Sequence, residues 1–275
     1  MRGLSRNFGA ALTALGIALA GSGADAQNSR LRTLGTQNDA LAWQAVGRVD
    51  IRNAGYCTGT LIAPDLVLTA AHCVFVQDTM VAPERITFQA GLTNGQAAAK
   101  RVVSQIEAHA GYKPERGVHL ENVRHDLALI RLETPIPTSE LDPFAVYSGT
   151  LSSGTVSVVS YGRDRSSSLS RQNECQALGQ HNRLIALDCD ITFGSSGAPV
   201  FTHINGRGQI ASVISGSGTR NGEQISFGMS LPPLIADLKR QMYVNKSRPT
   251  AKVRRLGVGA DKGASGAKFV PANGS

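Results

Sequence analysis

Three stretches of the chain carry side chains that could do chemistry together. The first, residues 188–200 (DCDITFGSSGAPV), crowds two glycines and a proline around Ser195 and Ser196, between the strand-like runs ALDC and APVF. A chain that must turn so sharply can push a serine hydroxyl outward while backbone N–H groups converge on one point. Ser196 could then attack a carbonyl carbon, with the N–H groups of Gly194 and Ser196 holding the developing oxyanion. A serine hydroxyl is a poor nucleophile until a base takes its proton, so this reading needs a base and an acid elsewhere. His72, in LTAAHC, is the candidate base, following an apolar run in a small-residue turn beside Cys73. Its imidazole titrates near neutrality, which suits it to accept the serine proton. Asp126, in HDLALIRL, directly precedes an apolar run. Placed beneath His72, its carboxylate would accept the proton-bearing ring nitrogen and stabilise the imidazolium. Taken singly, each stretch also has a plain structural reading: a surface turn, a solvated histidine, a turn cap. Asp65, Asp164, Asp188 and Asp190 compete for the acid's role, but none starts so apolar a strand.

The elements that must position these residues are short strands. Apolar alternation and short apolar runs predict strands over 46–51, 57–62, 66–69, 86–90, 102–108, 127–132, 156–161, 184–189, 199–204, 209–215 and 224–229. Gly, Pro, Asn and Ser turns separate them and helical periodicity is nearly absent, which makes the chain all-β, a sandwich or barrel. The exception is a helix over 234–244, with Pro233 just ahead and Leu234, Ile235, Leu238 and Met242 on an apolar face.

Composition bounds where such a site would work. Arg2 and Arg6, an apolar run over 8–20 and the small residues Ala24 and Ala26 have the layout of a secretory leader over 1–26, cut after Ala26, so the protein is expected to be secreted or periplasmic. The run falls short of the ~18–20 apolar residues of a membrane span. The four cysteines, Cys57, Cys73, Cys175 and Cys189, then lie in an oxidising compartment and allow three pairings; Cys57 with Cys73 and Cys175 with Cys189 closes two short loops and is preferred. Six dispersed histidines and no Cys-x-x-Cys give no metal site, and no cofactor is called for. The chain carries a net charge of +8, most of it in the Lys- and Arg-rich stretch 245–275, which reads as a flexible tail. The body is nearly neutral, which argues against nucleic acid as a partner, although the tail could hold the protein near an anionic membrane or envelope polymer.

The order His, Asp, Ser, with agreement in all three blocks, resembles the chymotrypsin/trypsin-like serine peptidase family, nearer its bacterial secreted branch than the animal digestive enzymes. The matching segments are Thr58-Gly59-Thr60-Leu61-Ile62 with LTAAHC over 68–73, DLALIRL over 126–132, and Gly194-Ser195-Ser196-Gly197-Ala198-Pro199, within a similarity spanning about 43–243. The resemblance implies two packed six-stranded antiparallel β-barrels with a C-terminal helix. The first barrel would supply His72 and Asp126 and the second Ser196, on either side of a cleft. It implies a protein or peptide substrate cleaved through an acyl-enzyme, and an oxyanion hole at Gly194 and Ser196. Ser215 and Gly216 match the strand that pairs with substrate, with Ser215 close to Asp126. Asp190, six residues before the nucleophile, matches the pocket floor where an aspartate selects Arg or Lys. A Cys57–Cys73 bridge matches the family closely and a Cys175–Cys189 bridge approximately. Ser195 departs from the aspartate that pairs with a newly cut N-terminus in the animal enzymes, so that switch is not expected here, although Arg30 or Arg32 could still be trimming sites.

The organisation expected is therefore a leader over 1–26, an extension over 27–42, a peptidase domain over 43–244 and a tail over 245–275. The activity expected is that of an exported endopeptidase; a non-catalytic binding protein or adhesin on the same fold, or an esterase, are the alternatives.

Overall fold

Apolar alternation builds the first lobe much as the pattern predicts. The computed structural model describes residues 29–117 and 119–246; the leader expected over 1–26 lies outside the described residues, as does the tail expected over 245–275 except for Asn245 and Lys246, which belong to the last helix. Strand β1 (Arg32–Thr33) and helix α1 (Gln37–Ala40), capped by the Thr36 hydroxyl, precede β2 (Val46–Ile51), β3 (Gly55–Ala63) and β4 (Leu66–Thr69). A small hairpin, β5 (Phe75–Val76) and β6 (Thr79–Met80), leads to β7 (Ile86–Ala90) and β8 (Ala99–Ala108). Helix α2 (Leu120–Val123) then comes before β9 (Ala128–Leu132). Strands β2-β3-β4-β9-β8-β7 close an antiparallel six-stranded barrel.

The two strands that lead into the site are buried on both faces. Successive side chains of a strand point to opposite sides. Val67 of β4 and Ala128 and Ile130 of β9 belong to the barrel core with Val49, Leu61 and Phe88. Leu66 and Leu68 of β4, with Leu127 and Leu129, face the other way, into a second cluster shared with Tyr161, Leu169 and Phe201. That second cluster joins the two lobes, and it explains why LVLT and LALI read as continuous apolar runs.

The second lobe corrects the expectation of two six-stranded barrels. Strands β10 (Gly154–Gly162), β11 (Arg165–His181), β12 (Leu184–Leu187), β13 (Pro199–Ile204), β14 (Arg207–Arg220) and β15 (Glu223–Met229) combine with β1 in one seven-stranded sheet. Its order is β1-β11-β10-β13-β14-β15-β12, with an additional pairing of β11 with β12. The difference arises at β11, a 17-residue strand that pairs with β10 along most of its length, takes β1 on its other edge at Ser170 and Arg171, and meets β12 through Ala177 to His181. Its buried residues include Ser168, Ser170 and Gln172, so no apolar alternation marked it in the sequence.

Helix α3 (Pro232–Lys246) ends the described chain. It begins two residues before the expected start, because both Pro232 and Pro233 fit a first turn that needs no N–H partner. Leu234, Ile235, Leu238 and Met242 bury its apolar face in the cluster between the lobes. Bonds from Gln105 Nε2 to Met242 O (2.9 Å) and from Asn245 to Glu107 (2.8 and 2.9 Å) tie its last turns to β8. No helix among the described residues is long and apolar enough to cross a membrane.

Candidate active site

His72 lies in a single 3-10 turn, Ala71–Val74, immediately after β4. The disulfide from Cys73 to Cys57 on β3 anchors that turn to the barrel. Its backbone N–H donates to Asp126 Oδ1 (2.8 Å) and its ring Nδ1 lies 2.7 Å from Asp126 Oδ2, so one carboxylate fixes both the main chain and the ring. Asp126 is 3% exposed at the mouth of β9, and Ser215 Oγ on β14 donates to its Oδ2 (2.5 Å). Burial works against a charge on His72, but the Asp126 charge and hydrogen bond outweigh it and raise the His72 pKa above the ordinary imidazole value.

The serine turn comes from the second lobe. Ser195 N–H donates to Thr192 O (3.0 Å), closing a four-residue turn with Gly194 at its third position and φ 94°. That backbone suits a type II turn and favours glycine. Gly194 also has no room for a side chain, since a Cβ would lie 2.3 Å from the Tyr56 ring. Gly197, with φ 80°, donates its N–H to Ile214 O (2.7 Å), and a Cβ there would fall 2.1 Å from Thr58 O. Among the described residues, neither the Gly194 nor the Ser196 N–H donates to a protein acceptor. The Cys175–Cys189 disulfide fixes the segment leading into the turn to β11.

A cleft of about 1060 Å³ gathers most of the residues singled out in the sequence: His72, Asp126, Gly194, Ser196, Ser215 and Gly216 all line it. Asp190 does not. Its side chain is exposed, its N–H donates to Gln172 Oε1 (2.8 Å), and Ile191 lines the cleft in its stead. Ile191 is braced by Gln224, whose Nε2 donates to Ile191 O (3.1 Å). The sequence reading also passed over Phe193, 75% exposed at the rim with the Arg163 guanidinium 4.3 Å from its ring centroid. Position was its only signal, one residue before Gly194.

Ser195 is fully buried, and among the described residues its hydroxyl bonds only with neutral groups: the Thr192 N–H (3.3 Å), the Ser160 hydroxyl (3.3 Å) and the Tyr161 carbonyl (3.4 Å). The described N-terminal residues run elsewhere, Ser29 bonding to Glu174 and Leu34 to Leu169 along β11. Cys57, His72 and Cys73 bring donor atoms within 4.8 Å of one another, as do Cys175, Asp188 and Cys189. In both groups the sulfurs are spent in a disulfide and cannot serve as thiolate ligands.

Comparison with known proteins bears on the family and the fold. Residues 57–208 match the model of the trypsin-like peptidase domain. The chain is 32% identical over 113 residues to serine protease SP24D of Anopheles gambiae, covering 40% of this chain and 39% of that protein. It is 36% identical over 94 residues to the modular serine protease of Drosophila melanogaster, covering 31% of this chain and 14% of that one. The matched segments therefore span well under half of either relative. Among solved structures, that of a Glu endopeptidase in complex with MPD superposes with a TM-score of 0.64 at 18% identity, covering 78% of this chain and 97% of the other, a likeness of fold.

Proposed function

This chain belongs to the family of trypsin-like peptidase domains, and from that premise we propose that it is a serine endopeptidase in which Ser196 is the nucleophile, His72 the general base and Asp126 the orienting acid. One observation carries the reading. The cleft that holds Ser196 also holds a His72 ring whose Nδ1 is bound to a buried carboxylate, leaving Nε2 as the ring's remaining base.

The chemistry follows from that arrangement. As Ser196 Oγ bonds to the carbonyl carbon, its proton passes to His72 Nε2 and the π pair moves to the carbonyl oxygen. The N–H groups of Gly194 and Ser196, which donate to no protein acceptor among the described residues, would receive that oxyanion. When the pair returns, the C–N bond breaks and the leaving amine takes the proton from His72. Water then attacks the acyl-enzyme by the same route, giving its proton to His72, which returns it to Ser196 Oγ as the acid departs.

The choice of side chain beside the scissile bond is read from the lining. With Asp190 exposed and outside the cleft, Ile191, Thr192, Gly216, Ser217 and Gln224 give the lining an uncharged stretch, while Arg163 and Asp164 add one charge of each sign. Such a wall favours an uncharged side chain over Arg or Lys, since Asp190 is not there to pair with a guanidinium and the charge of Asp164 is accompanied by that of Arg163. Export, and a place in the bacterial branch, are supported by the leader pattern over 1–26 and by Ser195.

The test compares the intact protein with Ser196→Ala on peptide libraries, after exposure to a serine-reactive phosphonate. Cleavage and labelling are expected in the first and absent in the second. A folded intact protein that neither labels nor cleaves would sink the proposal.

A further inference from the structure

We propose that Thr58 is a positioning residue for the oxyanion turn, its hydroxyl and backbone together holding the carbonyls of Gly194 and Ser196, the two residues whose N–H groups are free in the cleft; the proposal rests on the peptidase reading above. Thr58 is fully buried on β3, beside the bridged Cys57. Its N–H donates to Ser196 O (2.8 Å) and its Oγ1 donates to Gly194 O (2.8 Å). From the other lobe the Tyr161 N–H donates to that same Oγ1 (3.0 Å), and Thr69 Oγ1 closes the set by donating to Thr58 O (2.8 Å).

The direction of these bonds is fixed. A hydroxyl has one proton and two lone pairs. An amide N–H can only donate and a carbonyl can only accept, so the Thr58 proton must point at Gly194 O while a lone pair takes the Tyr161 N–H. The side chain thus locks Gly194 to β10 through β3. Gly194 needs an outside restraint of this kind. It has the freest backbone in the turn, and the Tyr56 ring bars any side chain that would stiffen it. The Ser195 hydroxyl donates to the Tyr161 carbonyl (3.4 Å), so Tyr161 of β10 is tied to the turn through two neutral hydroxyls, those of Thr58 and Ser195.

Thr58→Val keeps the shape of the residue and removes the hydroxyl, leaving Gly194 O and the Tyr161 N–H without their partner. The Gly194 peptide is then free to turn its N–H away from the oxyanion. Outright loss of one oxyanion donor lowers kcat by roughly 10²–10³, and a displaced donor should lower it by about tenfold or more, with KM held within about twofold. Thr58→Ser, which keeps the hydroxyl, should recover most of that loss. A merely structural role would lower thermal stability without moving kcat per active site, so rates are taken per site titrated with the phosphonate. Thr58→Ala is read by the same criterion if Thr58→Val does not fold. Unchanged kcat in the valine variant, a loss carried by KM, or a serine variant as slow as the valine one would each overturn the role of Thr58. Those results are distinct from a silent wild-type protein, which would overturn the peptidase reading first.

Discussion

Replacing Asp126 by Asn tests the geometry of the site more sharply than deleting any side chain. The carboxylate accepts three bonds, from the His72 N–H at 2.8 Å, from the His72 ring at 2.7 Å and from Ser215 Oγ at 2.5 Å. An amide has one oxygen, so one side of the group must become a donor. If its nitrogen faced the His72 backbone, two N–H groups would meet head on. The amide oxygen therefore stays on the backbone and the NH2 faces the ring, which can satisfy it only by accepting at Nδ1. The ring proton moves to Nε2, the atom that must receive the serine proton, and the base is blocked. A base held in the wrong tautomer costs about 10⁴ in kcat. That is about 5.5 kcal/mol of transition-state stabilisation at ~1.4 kcal/mol per decade.

The pH profile supplies a second reading from the same variant. Turnover requires neutral His72, so kcat/KM of the native protein rises as pH climbs through the His72 pKa, which burial opposes and Asp126 holds above the ordinary value. In Asp126→Asn the burial persists and the charge is gone, so the midpoint of any residual activity should move to lower pH. Stability follows the linked sign. The contribution of His72 is full below the unfolded imidazole pKa and is lost as pH rises through the raised folded value, a loss the asparagine variant should lack. The assay is kcat and KM per titrated site across the neutral range, with melting curves beside it. Retention of kcat within about tenfold of native would refute the triad as the source of catalysis, since the tautomer penalty is ~10⁴.

Two further outcomes follow from particular positions. Asp190→Ser should leave the cleavage profile of a peptide library unchanged, because Asp190 is exposed outside the cleft; disappearance of an Arg or Lys preference on that substitution would show that the side chain does reach the pocket. Gly197→Ala should abolish phosphonate labelling and lower the melting temperature, since a Cβ would sit 2.1 Å from Thr58 O at a φ of 80° whose backbone strain alone costs roughly 1–3 kcal/mol. A labelled, stably folded alanine variant would contradict the packing of Ser196 against β3.

What could be read in the sequence was what strand burial writes into it. LVLT before His72 and LALI after Asp126 were plain because both faces of β4 and β9 are covered, one by the barrel and one by the second lobe. Strand β11 was hidden by the same logic: its interior side chains include Ser168, Ser170 and Gln172, which satisfy themselves by hydrogen bonding and leave no apolar rhythm. The two six-stranded barrels were implied by the family resemblance, and with β11 and the two-residue β1 unmarked nothing in the residue pattern corrected them to the one barrel and seven-stranded sheet that the chain makes. In the site, residue types and order pointed to His72, Asp126 and Ser196. They could not disclose Thr58, whose part depends on bonds to residues more than a hundred positions away, nor that Asp190 would face solvent one residue short of the cleft.

The leucines on the outer faces of β4 and β9 have a consequence for the order of events during synthesis. His72 and Asp126 leave the ribosome well before Ser196, on a lobe whose outer stripe of Leu66, Leu68, Leu127 and Leu129 has only Leu34, Ala40, Val46 and Leu92 packed with it until Tyr161, Leu169 and Phe201 arrive. The half-made chain is therefore sticky and inert together. Docking of the second lobe hides the stripe and brings Ser196 into the cleft with His72 and Asp126 in one step, so burial of the interface and assembly of the candidate site are a single event.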